Sequence, residues 1–224
     1  MPTEWFRSPD WSPAAQEDFE RRLARARERN RPQYLRVKAL ALLESQEPDV
    51  RASGRGLLDR LIAEYADMAP MEACFAHELL GNAYRREGRL REAESHYRTC
   101  MSLARPDRSG TSGLYDLSLV EVLLISPEDR TAEAACLLAE VRQYMQTHPM
   151  FNNALFRYEV ATARLAKKTG DRQRAAVSAQ RALELATIDR PQLPRHPDVG
   201  LVRTDDATLK ELRLLADSPG RTGR

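Results

Sequence analysis

Four side chains with metal-binding chemistry lie between positions 74 and 100: Cys74-x-x-His77 and His96-x-x-x-Cys100. Spacings of three and four residues put each pair on one face of a helix, and thiolate with imidazole is the donor set of a structural zinc site. In an antiparallel helix pair His77 is expected beside Cys100, with His96 a turn away and pointing outward. At most three donors then converge. The competing expectation is that Cys74 and Cys100 fill small-residue packing positions and His77 replaces an aromatic, so the sequence assigns no metal and no cofactor. Nucleophilic chemistry has less support still. No Gly-x-Ser-x-Gly elbow, glycine-rich phosphate loop or His-Glu-x-x-His helix occurs. Gly110-Thr111-Ser112-Gly113 is too short to cradle phosphate and reads as a connecting loop, and acids such as Glu92 and Glu94 suit an exposed helix face. The chain is expected not to be an enzyme.

The elements that must position these residues are helices. The 224 residues are rich in Ala, Leu, Arg and Glu and contain only 10 glycines and 6% aromatics, which predicts one elongated all-α domain with a core that needs no disulfide. Formal charge is +2, with acids and bases interspersed as on solvated helix faces. That balance argues against a duplex nucleic acid partner. Arginine outnumbers lysine by 31 to 4, a ratio spread over the whole chain and better attributed to genomic base composition than to a ligand. The start, "MPTEWFRSPDW", lacks the basic and apolar regions of a signal peptide. Nothing is long and apolar enough to cross a membrane. Cys74, Cys100 and Cys136 lack the short paired spacing of a zinc ribbon or redox motif, and a cytoplasmic, reducing location is expected.

Ser12-Pro13 predicts a capped helix start, with a helix to about Arg29 and Trp5, Phe6 and Trp11 forming a hydrophobic plug ahead of it. These make an N-terminal segment over 1–31. Helical segments are then predicted over 32–45, 49–66, 69–86, 90–104, 114–125, 128–146, 151–169 and 172–187, punctuated by Pro48, Pro70, Gly88, Pro106, Pro127, Pro149 and Gly170. Ser126-Pro127-Glu128-Asp129 reads as a further capped start. Prolines at 191, 194 and 197 with Gly200 predict an extended strap over 188–203. A capping helix is expected over 204–217, with Leu209, Leu212 and Leu215 on one side, followed by a disordered tail over 218–224.

Two of the predicted hairpins align without gaps. Leu80-Gly81-x-x-Tyr84, Gly88, Glu92-Ala93, Tyr97 and Cys100-Met101 correspond to Thr162-Ala163, Ala166, Gly170, Arg174-Ala175, Ala179 and Ala182-Leu183. Small residues at Gly81, Ala93 and Cys100, echoed by Ala163, Ala175 and Ala182, would let the two helices of a hairpin approach closely, and Gly88 and Gly170 would close the turns. This pattern resembles a degenerate tetratricopeptide repeat (TPR), fullest over 73–106, less complete over 154–187, and fragmentary over 33–67 and 113–147. His77 stands where the family has an aromatic, and Pro106 falls one place late. The resemblance implies an all-α solenoid of about four antiparallel helical hairpins, a TPR-like superhelix over 32–187, with the N-terminal helix and the C-terminal capping helix at its ends.

By helical spacing, Glu78, Asn82, Arg85 and Arg86 lie opposite Leu80, Gly81 and Tyr84, while Arg157, Arg164 and Lys168 form a stripe away from Phe156 and Ala163. Tetratricopeptide repeats line a concave groove with the first helix of each hairpin, which implies that these seven residues face a ligand. Asn82 and Arg164 match groove places of carboxylate-binding members; Glu78 departs from them. The other expectation is a solvated helix face. The function implied is a non-enzymatic protein-interaction scaffold that takes a protein or peptide, acidic or carboxylate-bearing, in a partly basic groove. The alternatives are an accessory or regulatory subunit of a larger enzyme or toxin-antitoxin-like complex, docking through a convex or terminal surface, and, behind both, a nucleic-acid-binding helical repeat. The strap is a further candidate occupant of the groove.

Overall fold

The computed structural model describes residues 4–193 and 195–217; the tail expected over 218–224 lies outside them. Among the described residues there are ten α-helices and no strand beyond an isolated bridge between Leu193 and His196. They are α1 (Pro13–Arg25), α2 (Arg31–Leu43), α3 (Pro48–Tyr65), α4 (Pro70–Arg86), α5 (Leu90–Leu103), α6 (Tyr115–Ile125), α7 (Thr131–Thr147), α8 (Asn152–Lys168), α9 (Arg172–Ala186) and α10 (Asp206–Ala216). The all-α helical-repeat expectation holds. Where composition suggested one elongated domain, contacts divide the chain into two compact units, residues 1–115 and 116–224.

In the first unit α2 packs on α3 and α4 on α5, with α3 against α4 joining the hairpins. The core runs from Phe19 and Leu23 of α1 through Leu35, Leu42, Leu58 and Leu61 to Leu80 of α4. Gly81, Ala93 and Cys100 are all buried at the α4–α5 seam. Gly54 does the same work between α2 and α3, its missing Cβ leaving room for the Ala39 carbonyl and the Leu42 and Leu43 side chains. Gly88, with φ of 74°, ends α4 in the left-handed region, and the Arg89 N–H reaches back to the Tyr84 carbonyl at 2.9 Å. Trp5, Phe6 and Trp11 pack against Phe19 and Tyr34 as the expected plug.

In the second unit α8 packs on α9, and α10 lies chiefly against α9. Ala163, Ala179 and Ala182 are fully buried with Phe156 and Leu212. Gly170, with φ of 79°, closes this turn as Gly88 closes the other. Largely apolar, α6 buries Leu117, Leu119, Val120, Val122 and Leu123 together with Asp116 and Ser118, while Ile125 at its end is exposed. Residues 188–193 and 195–203 are non-helical, with Gln192 N–H bonded to the Val199 carbonyl at 2.9 Å, and Asp205 caps α10 through the Thr208 N–H.

Two helix starts and stops differ from expectation. The first helix ends at Arg25 rather than Arg29, because the Arg31 guanidinium takes the carbonyls of Ala24 and Ala26 and Pro32 then begins α2. The run from Ser126 to Asp129 is a turn, not a helix cap. Asp129 Oδ1 accepts from both the N–H and the hydroxyl of Thr131, at 3.1 and 2.8 Å, so α7 begins only at Thr131.

Candidate functional site

The four metal-type side chains lie on α4 and α5, but in a register that pairs like with like. Cys74 Sγ is 3.5 Å from Cys100 Sγ, and His77 Nδ1 is 3.0 Å from His96 Nδ1, one ring donating N–H to the other. The expectations that His77 neighbours Cys100 and that His96 points outward are corrected. Facing positions on these antiparallel helices sum to 173 or 174 (74 with 100, 77 with 96), which sets His77 and Cys100 about one turn apart. Thiols and imidazoles therefore occupy separate rungs. Among the described residues no group of three or more His, Cys, Asp or Glu is arranged to hold a metal ion.

The imidazole rung is proton-sensitive. Burial, helped by the charge of His96, pushes the His77 pKa from 6.5 down to about 4; burial also lowers His96, with Asp59 pulling the other way. A base whose folded pKa is depressed binds its proton more readily unfolded. Stability is accordingly whole above pH 6.5 and is lost as the pH falls through the window from 6.5 to about 4. After discounting for residual exposure, we expect a loss of about 2 kcal/mol. Urea unfolding at pH 7 and pH 4.5 checks it: His77→Gln should flatten the difference, and an equal pH slope in that variant would refute the assignment.

The proposed ligand-facing residues of α4 have diverse surroundings. Glu78 is 1% exposed. Its carboxylate accepts the Ser112 backbone N–H at 2.7 Å and the Ser112 hydroxyl, so it anchors the loop after α5 and does not face an open groove, contrary to expectation. Asn82 Oδ1 accepts the Tyr97 hydroxyl at 2.7 Å, holding that ring across Gly81. Arg85 is half-buried and Arg86 exposed. Arg86 borders a cleft of about 250 Å³ with Leu43, Arg51 and Ala83.

On α8 the stripe keeps its geometry, with partners. Arg157 grips both Glu121 oxygens of α6 at 2.8 and 2.9 Å and the Ser118 hydroxyl at 2.8 Å. Arg164 holds Glu211 of α10 through two nitrogens at 3.0 and 2.9 Å. Both guanidinium planes are thereby oriented while about a third of each side chain stays exposed (32% and 30%). Lys168 is exposed. The strap, the other candidate occupant, meets α8 at its start, where Gln192 Oε1 accepts the Asn152 N–H at 2.5 Å.

A second cleft in this unit was not read from the sequence. About 420 Å³ in volume, it lies between α7, α8 and α9, with Arg142, Arg174 and Arg181 around Tyr158 and Ser178. Its signal was present: Arg174, Ser178 and Arg181 recur at four- and three-residue steps on α9.

Over residues 76–110 the chain matches the family model described as tetratricopeptide repeat. The match falls on the α4–α5 hairpin, where the residue pattern is fullest. No curated protein and no solved structure gave a significant match. Repeats of this family generally mediate protein–protein interaction.

Proposed function

We propose, with a tetratricopeptide repeat at residues 76–110 as premise, that this chain is a non-enzymatic scaffold for a protein or peptide segment. Its binding surface is the α8 face carrying Arg157, Arg164 and Lys168. The observation that supports this most directly is the fixing of Arg157 and Arg164, two helical turns apart, by carboxylates from the flanking helices α6 and α10. The Arg164 guanidinium, held in place by Glu211, is oriented before a second acceptor arrives and loses little freedom on binding it. Lys168 adds exposed positive charge at the end of the stripe. An extended segment bearing carboxylates suits such a ladder, and exposed Arg86 adds positive charge on α4. Three cysteines without the short paired spacing of a zinc ribbon or redox motif fit a reducing, cytoplasmic setting.

The test is fluorescence anisotropy with a panel of labelled peptides, glutamate-rich or neutral, with free or amidated C-termini. Binding of the acidic members is expected, and Arg157→Glu or Arg164→Glu should weaken it by at least about tenfold, or 1.4 kcal/mol. Melting curves of each variant report on folding. Undiminished affinity in both folded variants would move the surface away from α8 and favour accessory-subunit docking elsewhere. Binding to an oligonucleotide that falls steeply with salt would favour nucleic acid instead.

A further inference from the structure

We propose that Cys74 and Cys100 form a reversible intrachain disulfide, and that the loop from Ala104 to Leu114 gates it through the Glu78–Ser112 clasp. Both thiols are buried, at 1% and 0% exposure, in a small cluster closed by Tyr115, Met101 and Ala104. Their sulfurs stand 3.5 Å apart on facing helices. A disulfide needs about 2.05 Å, so closure asks for a shift of about 1.5 Å shared between two side chains. Cys74 Sγ–H also points at the Cys100 carbonyl oxygen, at 3.4 Å. The contact with Cys100 holds the Cys74 thiol below its ordinary pKa, against the opposing effects of burial and of Glu78.

The gate is read from where the loop touches α4. Gly110, with φ of 79°, rests on Met71, whose Cβ would lie 2.9 Å from any Cβ added there. Ser112 is held by Glu78. Met71, Cys74 and Glu78 recur at three- and four-residue steps, a single stripe on α4. The loop's two points of attachment therefore bracket Cys74, and Arg108 lies over the Tyr115 ring at 5.1 Å to hold the far end. A buried carboxylate that otherwise has no place in a ligand groove thus acquires a role.

The step balances with glutathione disulfide as oxidant. The Cys74 thiolate attacks one glutathione sulfur and expels a glutathione thiolate. Cys100 then attacks the Cys74 sulfur and expels the second, and the two cysteine protons end on the two glutathiones. Two protein thiols are oxidised and one small disulfide is reduced.

The experiment uses the full chain with Cys136→Ser, since Cys136 is exposed and would form adducts of its own. Incubated with glutathione disulfide and quenched by alkylation, the protein is expected to lose two hydrogens in mass, to yield a peptide linking Cys74 to Cys100, and to recover both thiols in reductant. Glu78→Gln and Gly110→Val should each speed this by about tenfold, the second without altering any charge near the thiols. Two thiols that stay alkylatable after denaturation, or glutathione adducts that never resolve to a cross-link, would overturn the disulfide. Equal rates in Gly110→Val and the parent would overturn the gate, and a melting curve of that variant shows that it is folded.

Discussion

Gly81→Val should cost the first unit about 3 kcal/mol, lowering its unfolding midpoint more than a change at any surface residue of α4. A Cβ at position 81 would lie 2.6 Å from Tyr97 Cε1 and 2.8 Å from Cδ1. The ring cannot swing aside cheaply, because Tyr97 is fully buried and its hydroxyl is tied to Asn82 at 2.7 Å. Relief must come from separating α4 and α5, which opens the seam that also carries the Cys74–Cys100 contact. Gly81→Ala meets the same ring, yet gains about 1 kcal/mol of helix propensity, so its net loss should be nearer 1 kcal/mol. Shrinking the ring tests the cause: Tyr97→Leu in the Gly81→Val background should cost less than it does alone. Urea melts of the four proteins supply the comparison. A Gly81→Val midpoint equal to the parent's would show that the seam has slack.

That seam was legible because it is a matter of size. Gly81, Ala93, Ala163 and Ala182 mark by their smallness where backbones approach, and glycines at 88 and 170 mark the turns. Helix bounds followed to within a residue or two at most prolines and glycines, the start after Pro127 excepted, where Asp129 binds Thr131 and delays α7. They failed where a long side chain decided instead, as with Arg31 capping α1. The metal-type quartet failed for a related reason. Spacing along a helix says which residues share a face, but the register between two antiparallel helices is set by how their bulky residues interlock, here Tyr97 over Gly81. A slip of one turn changes a mixed Cys–His set into a thiol pair and an imidazole pair.

Charge was the least legible layer. Helical periodicity put Glu78 with Asn82 and Arg86 on one polar face, and a carboxylate among arginines reads as solvated. Only the fold shows that a loop distant in sequence returns to cover it, giving Glu78 two donors from Ser112. Arg157 and Arg164 were placed on the expected stripe, but their carboxylate partners come from α6 and α10, 36 and 47 residues away. Such pairing alters what the stripe offers. It orients the guanidinium groups against acids from other helices, so that in the proposed scaffold selection would rest on geometry more than on net charge.

Lys38 is buried as well, and its replacement should release the N-terminal plug. At 1% exposure, its Nζ donates to the carbonyls of Ser8 at 2.7 Å and Asp10 at 2.8 Å, and lies 5.1 Å from the centre of the Trp11 ring. Burial draws its pKa down, partly offset by the charge of Asp10. A compact ammonium suits two carbonyls converging from one side, where a planar guanidinium would have to splay. Lys38→Met keeps most of the volume and leaves both carbonyls without a donor, at about 1–3 kcal/mol each if they stay buried. Detaching the segment is the cheaper response, so the net loss should be about 2–4 kcal/mol, taken mainly as exposure of Trp5, Phe6 and Trp11. Because Trp5 and Trp11 are the only two tryptophans, fluorescence reads the plug alone. The emission should shift to the red and become quenchable by acrylamide while helical circular dichroism is retained, with Lys38→Arg falling between the two proteins. A Lys38→Met protein with the parent's emission and melting curve would mean that the rings hold the segment without the ammonium.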